Sequence, residues 1–76
     1  MYRHRILIVD DDKLLQKPLK QILADKYDVS AAGSGEEALA IIREKPIDLV
    51  LLDIRLPGID GVETLKAIRE MDKNIL

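Results

Sequence analysis

An α/β fold with a parallel sheet is the architecture this chain of 76 residues predicts. Two stretches carry the prediction, ILIVDDD at 6–12 and IDLVLLDIRLPGIDG at 47–61, each a short aliphatic run that stops on acids. Unbroken aliphatic runs of this length suit strands covered on both faces. The segments that follow them place apolar residues at helical spacing. Strands that alternate with helices imply a parallel sheet joined by right-handed crossovers.

Taken in order, Ile6–Val9 is the first buried strand. From about Asp12 to Lys26, Leu15, Leu19, Ile22 and Leu23 recur among Lys, Gln and Asp, the pattern of an amphipathic helix. Pro18 lies inside that pattern, and its missing N–H is expected to kink the helix or delay its start. Tyr27–Ala31 is more polar and suits a strand at the sheet edge. Ser34 and Glu37 form an S-x-x-E capping box for a second helix, with Ala38, Leu39 and Ile42 on its inner face. Pro46 closes that region, and Asp48–Leu52 is expected to be a second fully buried strand. Asp60 is placed to cap a third helix whose inner face is Val62, Leu65, Ile68 and Met71. Asn74–Leu76 begins a further apolar segment. The order is β-α-β-α-β-α plus the start of a fourth strand. Residues 1–76 are thus expected to form a single partial domain, the front of a doubly wound fold that in full has roughly 100–150 residues.

Composition narrows the function. Hydrophobic residues make up 47% of the chain, enough to fold, and the net charge is −2 with acids and bases interspersed. That balance argues against a nucleic-acid surface. No cysteine is present, which removes disulfides and thiolate metal sites. The longest apolar run, Leu49–Leu52, is far too short to span a bilayer. The basic N-terminus MYRHR is not followed by a long apolar stretch, so a cytoplasmic location is expected.

Ligands of a doubly wound sheet bind outside the carboxyl ends of its strands, at the point where the winding direction switches. If the two aliphatic strands are neighbours, Asp10, Asp11 and Asp53 converge on one crevice. Three acids so close repel one another unless a cation lies among them. Oxygen donors without His or Cys favour Mg2+ over zinc. Mg2+ keeps waters and takes few carboxylates, so a phosphoryl group is the expected third party.

With VDDD at 9–12, Asp53 closing the third strand and D-x-x-L-P-x-x-D-G at 53–61, the chain resembles the receiver domain of two-component response regulators. The resemblance runs from Arg5 to Leu76. It implies a flavodoxin-like parallel sheet, strand order 2-1-3 over this part. It also implies that Asp53 is the phosphoacceptor, taking a phosphoryl group from a histidine kinase or phosphotransfer protein. Asp11 would hold Mg2+ directly and Asp10 mainly through water, with Asp53 and the backbone carbonyl of Arg55 completing the protein ligands. Pro57 and Gly58 would shape the loop beyond the site. Such a domain is a signalling phosphoprotein rather than an enzyme. Receivers carry a Ser or Thr after the fourth strand, a Lys after the fifth and usually an aromatic switch residue, none of which these 76 residues reach. For this length of chain, impaired phosphorylation is therefore expected. So is a homo-oligomer formed through an uncovered third-strand edge.

Other readings compete with these. Asp10–Asp12 alone would serve as an ordinary helix-capping turn; the matching Asp53 is what raises it above that. Gly33-x-Gly35-x-x-Ala38 formally matches a dinucleotide fingerprint, but Glu36 and Glu37 occupy the helix start that a pyrophosphate would need. Gly33 is instead expected to supply a loop conformation with positive φ. Asp10 and Asp12 at D-x-D spacing suggest an Mg2+-dependent haloacid-dehalogenase-type phosphatase. Leu14 stands where those enzymes usually carry Thr or Val, and Asp53 where they end a strand on Ser or Thr.

Overall fold

The computed structural model describes residues 3–53, 61–72 and 74–76. Its elements are β1 (Arg5–Val9), α1 (Lys13–Leu23), β2 (Asp28–Ala32), α2 (Gly35–Glu44), β3 (Leu49–Leu52) and α3 (Gly61–Met71). The three strands are parallel and lie in the order β2-β1-β3. Ile6 is opposite Val29 on β2 and Leu49 on β3; Val9 is opposite Ala32 and Leu52. The most aliphatic strand is therefore central, and the polar β2 lies at an edge, as expected. Leu76 runs beside β3, donating to the Asp48 carbonyl at 3.0 Å and accepting from the Val50 N–H at 2.8 Å. A fourth strand thus begins where the apolar segment predicted it.

Alternation along β1 divides its side chains between two layers. Leu7 and Val9 belong to the core with Ala32, Ala38, Ile47, Ile68 and Ile75, against which Leu39, Ile42, Val50 and Leu52 pack. This is the face covered by α2 and α3. Ile6 and Ile8 point the other way, toward the side that holds Leu15, Leu19 and Leu23 of α1 and Leu51 of β3.

Local signals account for the helix starts. Asp12 caps α1 with extended backbone, its carboxylate accepting from Leu14 N–H at 2.9 Å. Ser34 Oγ caps α2 by accepting from Glu37 N–H at 3.1 Å. The return bond of that capping box reaches one residue further back than the usual pattern, from Gly33 N–H to Glu37 Oε2 at 3.3 Å.

Several expectations change. Pro18 does not delay α1, which starts directly after its Asp12 cap; the proline is the sixth helical residue and leaves the Leu14 carbonyl without its usual N–H partner. No residue of α1 is buried, and Leu15 and Ile22 of its apolar stripe are 60% and 72% exposed. The stripe faces a side of the sheet that, among the described residues, only this helix covers. On α3 the buried residues are Gly61, Thr64 and Ile68, while Val62, Leu65 and Met71 are exposed. Ile68 stays on the inner face, but small Gly61 and Thr64 complete it in place of Val62 and Leu65; α3 packs against α2, where Gly35 and Ala38 are buried. Finally, the φ of Gly33 lies outside the left-handed region; a Cβ there would meet Glu37 Oε2 at an ordinary 3.9 Å.

Candidate functional site

The site forms where β1 and β3 end. The parallel ladder continues one residue past each strand: Asp10 N–H donates to the Ala32 carbonyl at 3.0 Å, and Asp53 N–H to the Val9 carbonyl at 2.9 Å. Backbone hydrogen bonds therefore hold both acids at the same end of neighbouring strands. One carboxylate oxygen from each of Asp10, Asp11 and Asp53 lies within 4.8 Å of the others. Asp10 and Asp53 are half-buried and Asp11 is exposed. Together with Asp12 and Leu15 they line an open depression of about 360 Å3.

The turn after β1 is tied in place. Asp12 N–H donates to Asp10 Oδ1 at 2.9 Å, which holds the Asp10 carboxylate against the turn. The donor set fits a hard divalent ion: three carboxylates, no imidazole, no thiolate. Their mutual repulsion in one crevice is the condition such an ion relieves. Arg55, Pro57, Gly58 and Asp60, the other residues that the motif singles out, lie outside the described residues.

One contributor escaped the sequence pattern. The Gln16 side-chain amide donates from Nε2 to the carbonyl of Asp10 and to that of Ala32, the latter at 2.7 Å. Gln16 and Leu23 are the α1 residues that are not exposed, and they stand seven apart on one face. A polar residue on the inner stripe was the available signal.

The comparisons with known proteins fall on the same features. The model of the response regulator receiver domain matches residues 6–76. The chain belongs to this family. The receiver is 43% identical over 68 residues to the DNA-binding response regulator MtrA of Mycobacterium tuberculosis, covering 88% of this chain and 30% of that protein. A CheY-like receiver domain protein from Methanospirillum hungatei superposes with a TM-score of 0.94 at 37% identity, over 97% of this chain and 60% of that one. The receiver domain of Ssk1 from Saccharomyces cerevisiae, solved together with the histidine phosphotransfer signalling protein Ypd1, gives a TM-score of 0.85 at 33% identity, over 93% of this chain and 50% of the other. The receiver thus spans under a third of the curated relative and about half to three-fifths of the solved chains. The flavodoxin-like α/β sheet and the 2-1-3 order agree with this membership, and such domains act as signalling modules of two-component systems. Among the described residues no helix is long and apolar enough to cross a membrane.

Proposed function

We propose that this receiver accepts a phosphoryl group on Asp53 from the phosphohistidine of a histidine kinase or phosphotransfer protein. The observation that carries the proposal is the convergence of Asp10, Asp11 and Asp53 within 4.8 Å. In the transfer, a carboxylate oxygen of Asp53 bonds to phosphorus as the phosphorus–nitrogen bond of the phosphoimidazole breaks. The products are an acyl phosphate on Asp53 and an imidazole that takes up a proton. Asp11, Asp53 and the backbone carbonyl of Arg55 would hold Mg2+, with Asp10 engaging it through water. Bound there, the ion would offset the charge of the phosphoryl oxygens and of Asp53. Asp10 and Asp11 act by placement: the β1 ladder and the Asp12 turn fix where their charge lies.

The co-crystal of Ypd1 with the Ssk1 receiver supports a phosphotransfer protein as the partner class. DNA binding belongs to MtrA by its name and is not assigned to this segment, whose charge is balanced. A cytoplasmic setting suits a domain that draws on a kinase. Phosphorylation is tested by incubation with acetyl phosphate and Mg2+. The expected result is a mass gain of one phosphoryl group, lost without Mg2+ and in Asp53→Asn; persistent labelling of Asp53→Asn would refute the assignment.

A polypeptide made of these 76 residues alone is further proposed to self-associate. Leu15, Ile22, Leu51 and Leu76 are 60%, 72%, 39% and 77% exposed, and they share the thinly covered α1 side and the β3 edge.

A further inference from the structure

The geometry points to Gln16 as a positioning residue for the cation site: its side-chain amide fixes the backbone of Asp10, and with it the carboxylates that receive Mg2+. The inference rests on the Mg2+ reading above and deepens it.

Gln16 lies one helical turn after the Asp12 cap, its own N–H bonded to the Asp12 carbonyl at 3.1 Å. From there the side chain turns back to the strand ends. Its Nε2 donates to two carbonyls, those of Asp10 and Ala32. Only the NH2 end of the amide satisfies both, since two carbonyls offer no donor. The Ala32 carbonyl also accepts from Asp10 N–H at 3.0 Å. Asp10 is thus held at its N–H by β2 and at its carbonyl by Gln16, while Oδ1 is held by Asp12 N–H. With both peptide groups fixed, the direction in which the Asp10 side chain leaves the backbone is set, and the position of Asp11 follows from it.

The role cannot be passed to a neighbour of the same helix. Gln16 and Leu23 alone among α1 residues are shielded from solvent, and Leu23 has no polar atom to offer. The chain's other glutamine, Gln21, is exposed on the same helix. A methionine in place of Gln16 would keep the length and lose both donors. It would take the Gln16 donor from the Asp10 carbonyl, leave the Ala32 carbonyl with Asp10 N–H alone, and free the turn to move. Partners behind a metal ligand typically change affinity by about 10–100-fold, and a group acting through a water-linked acid belongs at the low end.

The test is an NMR titration of the 15N-labelled protein with Mg2+, following the amides of Asp10–Asp12 and Asp53. Gln16→Met is expected to weaken Mg2+ by about tenfold. Ser34→Ala, which destabilises α2 away from the site, is expected to leave the Mg2+ affinity unchanged, which separates positioning from general loss of stability. Unchanged affinity in Gln16→Met overturns the inference. A measurement on the unmodified protein stands even if that variant does not fold. The Gln16 Nε2 protons should shift with Mg2+ at the same midpoint as the Asp11 amide, while those of Gln21 stay still; an unresponsive Gln16 pair likewise overturns it. An unmodified protein that binds no Mg2+ defeats the cation reading itself and this inference with it. Binding that is equally tight in the unmodified protein and in Gln16→Met defeats only the inference.

Discussion

Asp53 donates its backbone N–H to the carbonyl of Val9 at 2.9 Å, so the acid that ends β3 is bonded to the residue directly before Asp10. This bond converts two separate sequence motifs into one site. It also fixes the distance over which their charges repel, with consequences for stability.

Two unit charges about 5 Å apart repel by about 1 kcal/mol in water-like surroundings. Here three carboxylates lie within 4.8 Å of one another. Asp53→Asn is therefore expected to stabilise the metal-free protein by about 1 kcal/mol, read as a higher urea midpoint. Mg2+ should reverse the ranking. An ion that binds only the folded state adds about 1.4 kcal/mol at tenfold its Kd, and the variant gains less of it. A midpoint for Asp53→Asn below that of the unmodified protein without Mg2+ would contradict the account.

What could be read in the chain and what could not divides along physical lines. Ile6–Val9 was legible because a strand buried on both faces tolerates no polar interruption. Leu49–Leu52 was legible as a strand, but its expected full burial is not met, since Leu51 is 39% exposed and the other three residues are half-buried. The Ser34 cap was legible because it is a local bond between residues three apart. The inner face of α3 was misplaced because apolar Val62 and Leu65 advertise burial more loudly than Gly61 and Thr64. Burial there follows how closely α2 is approached, a tertiary fact. Gln16 escaped for a related reason: its partners are backbone carbonyls, which leave no mark in a side-chain pattern.

The α3 correction can be tested directly. Thr64→Leu places extra volume at a fully buried position and is expected to cost about 1–3 kcal/mol. Val62→Thr, on the exposed face, should fall within about 0.5 kcal/mol of the unmodified protein. Urea unfolding of the two variants would show the opposite order if the stripe ran through Val62 and Leu65.

Pro18 offers a gain. It is exposed, interior to α1, and leaves the Leu14 carbonyl without a helical donor. Alanine is about 3 kcal/mol better than proline inside a helix, and part of that is offset because proline also restricts the unfolded chain. Pro18→Ala is expected to raise stability by about 1–2 kcal/mol and to increase helical circular dichroism. No gain in either would mean that the Pro18 ring makes a packing contact that outweighs the restored bond.

The α1 face bears on association. Leu15, Leu19, Ile22, Leu51 and Leu76 are 60%, 37%, 72%, 39% and 77% exposed. A mainly apolar groove on this side is lined by Ile6, Leu23, Tyr27, Leu49, Leu51 and Leu76, with His4 and Asp48 also on its wall. Burying one such leucine yields about 1.5–3 kcal/mol, so a few paired across two copies would offset the entropy lost on association. A polypeptide of these 76 residues should therefore sediment as a dimer or larger at micromolar concentration. Leu51→Lys should shift it toward monomer, since the charge would have to be buried unpaired in the contact. A compact monomer for the unmodified polypeptide, with a cooperative unfolding transition, would show instead that α1 and the paired Leu76 cover this face well enough.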